Sequence, residues 1–431
     1  MMISRSALLC IGLVNFLAVP ATAGGLSRED LNAALAELEA LKKIQAETDA
    51  RIQKLEAALA VETEVIRASK TTPVTLEAAV SDTQIAEQIS SATDGLNLTA
   101  DMMLRFEGNY SGTGPGRERG VMRSRLGATY QIDPRLKVGA LLETGDPDDP
   151  NSGYLTFDEF ADDFDVSLSR AFLEYQLGAV SLIGGKFVRP FKSTDLLWDS
   201  DVNPMGVAAR SQIDIGSAST LKLSGIFSVV DENVNGADSH MLGGQASLAT
   251  TLGDSLEFSA ALGFFDYTLG SISGADVGDF RSNLRDEAGG YLSDYDLLDL
   301  ILSAEWAGLS EDWPVELTLD YVQNLGSAAD DDIAIGLDVK FGPSKRPGDL
   351  RYAYGYSEAG VDSVLAAFSH DNYAIATNYM AHEFGLHFLV TEQLWLSGSI
   401  YHYKPLSVRY SSDLAASEWL NRVRLNLGVT F

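Results

Sequence analysis

Apolar and polar residues alternate in short runs along most of the chain from residue 96 to residue 431. The final run shows the pattern plainly, because polar or small residues separate the apolar Val423, Leu425, Leu427, Val429 and Phe431. Alternation with a period of two predicts β-strands that carry one apolar and one polar face. Turn residues separate the runs, and the connections are alternately short and long. This organisation is typical of a barrel whose outer face contacts lipid and whose inner face contacts water.

The alternating runs predict an all-β fold, a sixteen-stranded antiparallel transmembrane β-barrel over residues 96–431. Aromatic residues near strand ends, such as Trp306, Trp395 and Trp419, fit the girdles at the two membrane surfaces. A barrel of this size encloses an aqueous lumen. The pattern fixes the count to within two strands. The predicted strands are 98–110, the run that ends at Ile132, 136–143, 166–177, 180–187, two runs beside 217–219, 241–252, 256–268, 295–306, 315–323, 333–341, 350–357, 379–390, 394–403 and 419–431.

The first 95 residues have other patterns. Residues 1–23 combine Arg5, an apolar run and Ala21-Thr22-Ala23, which predicts a secretory signal peptide. Residues 24–70 carry a heptad pattern of aliphatic residues and predict an α-helical coiled coil in the periplasm. A single amphipathic helix that packs on the barrel is the alternative. Residues 71–95 are polar and predict a linker. Cys10 is the only cysteine, so the exported chain is expected to have no disulfide.

The formal net charge is −30, which argues against nucleic-acid binding, because such proteins need basic surfaces. The barrel pattern and the signal peptide together predict the outer membrane as the location and its lipid as a partner. Acidic residues cluster in the predicted loops, for instance at 146–149, where solvation and cation binding are both reasonable interpretations. No cofactor and no metal site are expected.

A long connection after the fifth predicted strand is the candidate pore constriction. It holds charged residues together with Leu196, Leu197 and Trp198, which favour burial, and the inside of the barrel is available to them. Three motifs lie in and before this connection: Arg-x-Arg-Leu-Gly at 123–127, Ser-Arg-Ala-Phe at 169–172 and Leu-Leu-Trp-Asp-Ser-Asp at 196–201. With Gly-Gly-Lys-Phe at 184–187, the chain resembles a family of Gram-negative outer-membrane porins related to the phosphate-selective porins O and P.

The resemblance implies a homotrimeric sixteen-stranded porin whose third loop folds into the lumen. It does not carry phosphate selectivity over to this chain, since the inward-facing charges have both signs. Mixed signs favour a general channel for passive diffusion of small hydrophilic solutes and ions, with a transverse field. The predicted constriction residues are Arg189, Lys192, Asp195, Asp199, Asp201 and Arg210, and the predicted lumen-lining residues are Arg105, Arg123, Arg125, Arg170, Lys186 and Glu174. Phe431 is the predicted assembly signal.

Two other classes of function compete with a pore. The chain could be a structural anchor that uses the coiled coil to reach a periplasmic or cell-wall partner. An outer-membrane barrel enzyme is the second alternative, but none of the five histidines stands in a recognisable motif with a nucleophile, so no catalytic residue is expected. The sequence leaves open the permeating solute, the ion selectivity, the pore radius, the partner of the coiled coil, and a dimer or a trimer.

Overall fold

The computed structural model describes residues 95–111, 116–158, 160, 163–234, 236–253, 255–270, 282–307, 313–410 and 418–431. The predicted signal peptide, coiled coil and nearly all of the linker lie outside these residues and stay predictions. Within the described ranges, no helix is long and apolar enough to cross a membrane.

The described residues form seventeen strands, and sixteen of them close into one antiparallel barrel. Each barrel strand pairs with its neighbours in sequence, and β1 pairs with both β2 and β17, which closes the ring. The remaining strand, β4, has two residues and pairs with β2. The strands are β1 Leu96–Tyr110, β2 Arg117–Asp133, β3 Leu136–Thr144, β4 Leu155–Thr156, β5 Val166–Leu177, β6 Val180–Lys186, β7 Met205–Ile215, β8 Ser219–Asp231, β9 Ser239–Leu252, β10 Leu256–Thr268, β11 Tyr295–Trp306, β12 Val315–Asn324, β13 Ile333–Phe341, β14 Leu350–Ala359, β15 Tyr379–Leu389, β16 Leu394–Pro405 and β17 Leu420–Thr430.

The prediction of a sixteen-stranded all-β barrel is confirmed. The two faces of each strand differ as the alternation predicts. On β1, Leu98 is 61% exposed on the outer face, whereas Glu107 on the inner face is 1% exposed and its Oε2 accepts a bond from Arg424 Nε at 2.7 Å. The outer face is therefore apolar and the inner face is charged.

The two ends of the barrel differ in their connections. One end has short turns, such as the Gly178-Ala179 turn between β5 and β6, and it also holds Leu96 and Phe431. The other end has eight connections, most of them longer, which we number loops 1 to 8 and which follow β1, β3, β6, β8, β10, β12, β14 and β16. Loop 3 comprises residues 187–204 and loop 7 residues 360–378.

Much of the apolar core lies inside the barrel, near the loop end. Trp198 of loop 3 packs with Phe265 of β10 at 6.2 Å between ring centroids and with Phe368 of loop 7 at 6.1 Å. Leu197 and Val364 belong to the same buried cluster. Because a barrel of this size leaves space between its walls, the two loops supply the side chains that fill this part of the interior.

Gly185, near the end of β6, fixes the path of the chain into loop 3. Its φ is +117°, and a Cβ added there would lie 2.2 Å from the backbone oxygen of Ala171 on the paired strand β5. Both features require glycine. We expect Gly185→Ala to destabilise the barrel by about 1–3 kcal/mol, measured as a lower urea midpoint for loss of the folded, heat-modifiable form. Gly184→Ala is the matched control, because its Cβ would meet nothing within 4 Å. Equal midpoints for the two variants would contradict this expectation.

Candidate functional site

Loop 3 contacts the inner wall of the barrel. Lys192 Nζ donates to the hydroxyls of Ser259 and Ser303, each at 2.7 Å. The Lys192 backbone bonds twice with the side chain of Gln245, at 2.9 and 2.7 Å. Thr194 donates its hydroxyl proton to the Asp320 carboxyl. These partners lie on β9, β10, β11 and β12 and face the lumen, so the loop lies along the inside of these strands.

The apolar residues of loop 3 are buried at this wall. Leu196, Leu197 and Trp198 are 6%, 2% and 3% exposed. Trp198 packs edge-on against Phe191 at 5.3 Å, and Phe191 contacts Phe265 at 4.7 Å. Burial of three large side chains stabilises the loop by roughly 1.5–3 kcal/mol each. The hydrophobic effect therefore stabilises loop 3 in its position inside the barrel.

The charged residues of loop 3 have different surroundings. The Arg189 guanidinium donates to the backbone oxygens of Asp199 and Val202, so it holds the loop's own backbone. Asp195 is exposed, whereas Asp199 is 5% exposed and its Oδ1 accepts from the Asp201 backbone at 2.8 Å. Burial, followed by the nearby carboxylates of Asp195 and Asp371, raises the pKa of Asp199 above its ordinary value. Asp199 is therefore a weaker fixed charge than an ordinary aspartate.

Asp201 links loop 3 to the opposing wall. Its carboxyl lies 3.3 Å from Arg123 Nη1 and 3.5 Å from Arg125 Nη1. Both arginines also approach Asp101 of β1, at 3.5 Å and 2.7 Å. The structure thus brings the predicted constriction residue Asp201 together with two of the predicted lumen-lining arginines.

Arg210 lies apart from the five loop residues with which we grouped it. It is on β7, which already begins at Met205, and it donates to the Glu174 carboxyl. Lys137 Nζ lies 2.5 Å from the other Glu174 oxygen. These three residues form an ion cluster on the wall of β3, β5 and β7. Sequence proximity placed Arg210 in the loop, whereas the early start of β7 places it on the wall.

The remaining predicted lumen residues lie on the same basic part of the wall. Arg105 stacks on the Tyr154 ring at 3.9 Å and donates to Asn426 at 2.7 Å. Arg170 donates to Asn203 of loop 3 at 2.7 Å. Lys186 ends β6 and lines a cavity of about 400 Å³ between loops 2, 3 and 7. Strands β1, β2, β5 and β17 thus present mainly arginines to the lumen, which also include Arg119, Arg422 and Arg424.

Carboxylates concentrate on another sector of the wall. A cavity of about 780 Å³ lies between loops 3 and 7 and strands β8 to β15, and a second of about 770 Å³ lies between loop 3 and strands β5 to β10. The acidic residues that line the first are Asp195, Glu257, Glu305, Glu316, Asp320, Asp338 and Glu383. The basic residues that line the second are Arg189, Lys192, Arg210 and Lys222. Lys192 and Lys340 also line the first cavity, and Glu174 lines the second. The lumen is therefore polarised, with one side mainly acidic and the other mainly basic.

Loop 7 is the part of the site that the sequence analysis missed. It is almost wholly buried, and it contacts loop 3 through the backbone bond from Asp199 N to Phe368 O at 2.8 Å. The missed signal is the apolar run from Val364 to Phe368 in a predicted connection, which is the kind of signal that marked loop 3. Among the described residues, no group of three or more His, Cys, Asp or Glu is placed to hold a metal ion.

Comparisons with known proteins agree with this architecture. Residues 82–279 match the model of the family described as Putative porin. The structure is similar to the high-pH structure of OprB from Pseudomonas putida, with a TM-score of 0.55 and 13% identity over 81% of this chain and 96% of that chain. Daunomycin-bound OmpF from Salmonella typhi gives 0.49 and 13% over 79% of this chain and 99% of that chain. No curated protein matches the sequence significantly. The strand order and the similarity to OprB define the fold as a porin-like sixteen-stranded barrel.

Proposed function

We propose that this protein is an outer-membrane porin, a water-filled channel for passive diffusion of small hydrophilic solutes and ions. The observation that carries the proposal is a closed sixteen-stranded barrel with an apolar outer face and a charged lumen. The family match over residues 82–279 supports it. We further propose that loop 3 forms the constriction and that the protein is a homotrimer, as the sequence resemblance implies.

The channel is tested by adding the purified, folded protein to planar lipid bilayers. Stepwise conductance increases are expected, with step sizes proportional to salt concentration, as for an aqueous pore. A heat-modifiable barrel that gives no conductance steps would contradict the proposed function. The anchor role and the periplasmic coiled coil depend on residues 24–70, and they stay predictions, as does the relation to the phosphate-selective porins O and P.

The polarised lumen supports weak ion selectivity. Substitution of a single charged residue should shift this selectivity. Asp201→Asn leaves Arg123 and Arg125 less neutralised and should favour anions, whereas Lys192→Gln removes a positive charge beside the acidic wall and should favour cations. In water, the interaction energy between a unit charge and an ion about 4–8 Å away is about 0.5–1 kcal/mol. Removal of the charge should therefore change the ratio of anion to cation permeability roughly two- to fivefold. Reversal potentials in a salt gradient measure these shifts.

The matched control for both substitutions is Glu232→Gln in loop 4, where the side chain is exposed. Salt screens such a distant charge within about 10 Å at 0.1 M, so its removal should leave the reversal potential unchanged. Shifts of equal size and sign in all three variants would contradict a role for the loop 3 charges.

A further inference from the structure

Loop 7 is buried although it connects two strands at the loop end of the barrel. Val361, Val364 and Leu365 are 1%, 0% and 2% exposed, and Ser363 and Ser369 are both 0% exposed. A connection at the rim of a barrel normally projects into solvent. Burial of this extent requires cover by the wall and by other loops.

The partners of loop 7 come from widely separated parts of the ring. Asn151 of loop 2 donates to Ala367 O at 3.0 Å. Asn283 of loop 5 donates to Val361 O and Val364 O at 2.9 and 3.0 Å. Loop 2 follows β3 and loop 5 follows β10, whereas loop 7 itself follows β14. A segment that bonds to all of these places must lie across the opening of the barrel.

Loop 7 also brackets the buried part of loop 3. His370 N donates to Asp195 O at 3.2 Å, and Asp199 N donates to Phe368 O at 2.8 Å. These two bonds enclose the three buried residues 196–198, and Phe368 packs on the Trp198 ring. Loop 3 is thus held between the wall on one side and loop 7 on the other.

Two arginines of the basic wall donate hydrogen bonds to loop 7. Arg422 Nη1 donates to the backbone oxygens of Asp371 and Asn372 at 2.7 and 3.0 Å. Arg424 Nη1 donates to Asn372 Oδ1 at 2.6 Å, while its Nε contacts Glu107 Oε2 at 2.7 Å. Both guanidinium groups therefore donate hydrogen bonds to acceptors within the protein. They anchor the middle of loop 7 to β17.

We propose that loop 7 is a second, permanently inward-folded element of the pore, which narrows the outer opening and holds loop 3 against the wall. The inference rests on the proposed channel function and extends it, because conductance would then depend on two loops. It also assigns Arg422 and Arg424 a positioning role, and leaves fewer arginines free to meet a passing anion.

The first test replaces loop 7 by a two-residue Asn-Gly turn. The change is compatible with the barrel because Ala359 and Tyr379, at the two ends of the loop, are directly paired. Single-channel conductance should rise by at least about 1.5-fold, since the opening would be wider. The matched control replaces residues 232–238 of loop 4 in the same way, because Asp231 and Ser239 are also paired there. The control should conduct like the wild type.

A second test remains decisive if the loop 7 replacement does not fold. Cys10 is the only natural cysteine, so an introduced cysteine is the only one between residues 95 and 431. Ser369→Cys should react with a thiol reagent at least about tenfold more slowly than Ala374→Cys, which is exposed in the same loop. A bulky reagent on Ala374→Cys should lower conductance, while the same reagent on the exposed loop 6 variant Ala328→Cys should not.

The outcomes separate this inference from the proposed function. If the folded wild type gives no conductance, the proposed function fails whatever loop 7 does. If the wild type conducts, wild-type conductance in the folded loop 7 replacement would overturn the inference alone. Equal labelling rates for Ser369→Cys and Ala374→Cys, or an unchanged conductance after modification of Ala374→Cys, would also overturn it.

Discussion

Deletion of residues 193–203 is expected to raise single-channel conductance about twofold or more, because it removes the part of loop 3 that lies along the inner wall. Residues of this segment line the cavity of about 780 Å³ and the cavity of about 400 Å³, so its loss should widen both. Planar-bilayer recordings measure the change. Ion selectivity should weaken at the same time, because the ions would pass farther from fixed charges that salt screens.

The deletion also removes three large buried side chains, Leu196, Leu197 and Trp198. At roughly 1.5–3 kcal/mol each, their loss should lower the stability of the barrel, so heat modifiability must be shown before conductance is interpreted. The loop 4 replacement of residues 232–238 is again the control for shortening a loop. Unchanged conductance in a folded deletion variant would place the constriction elsewhere.

Deletion of Phe431 is expected to remove most of the folded barrel from the outer membrane. Phe431 and Ala100 exchange two backbone hydrogen bonds, at 2.9 and 2.7 Å, at the end of the seam between β17 and β1. Without Phe431, the backbone N–H and C=O of Ala100 lose these partners, which costs about 1–3 kcal/mol for each group. The Phe431 side chain is 75% exposed on the outer face, where an interfacial aromatic residue is favoured. The heat-modifiable fraction in isolated outer membranes measures the effect.

Two substitutions separate the backbone contribution of Phe431 from that of its ring. Phe431→Tyr keeps both and should assemble at the wild-type yield. Phe431→Ser keeps the paired backbone but loses the aromatic ring, and its yield should fall between those of the wild type and the deletion. Normal assembly of the deletion variant would show that Phe431 is not an assembly signal.

Several strands could be predicted closely because their signal is local. The predicted ranges for Val166–Leu177, Leu256–Thr268 and Tyr295–Trp306 agree with the structure, and most others differ by one or two residues at an end. Alternation along a strand sets which side chain faces the lumen, regardless of its neighbours. Prediction was poorest where strand and loop meet. Lys186 ends β6 one residue early and Met205 begins β7, which moves Arg210 from the loop to the wall.

The candidate site could be predicted only in part. Loop 3 was found because Leu196, Leu197 and Trp198 adjoin in the sequence. Loop 7 carries the same kind of local signal at residues 364–368, and it was overlooked. Its cover could not be predicted, because it comes from distant residues such as Asn151, whose amide bonds to Ala367 across 216 positions. A local pattern shows that a residue favours burial but does not show which distant element provides the cover.

The sequence by itself determined the number of strands to within two, their inner and outer faces and the long connection rich in both charges and apolar side chains. Each of these depends on neighbouring residues in one segment. Only the tertiary structure decided which charges meet, since Arg424 and Glu107 are 317 positions apart and come together through closure of the ring. Closure and register fix the relative positions of distant strands, and through them the placement of loops 3 and 7 in the lumen.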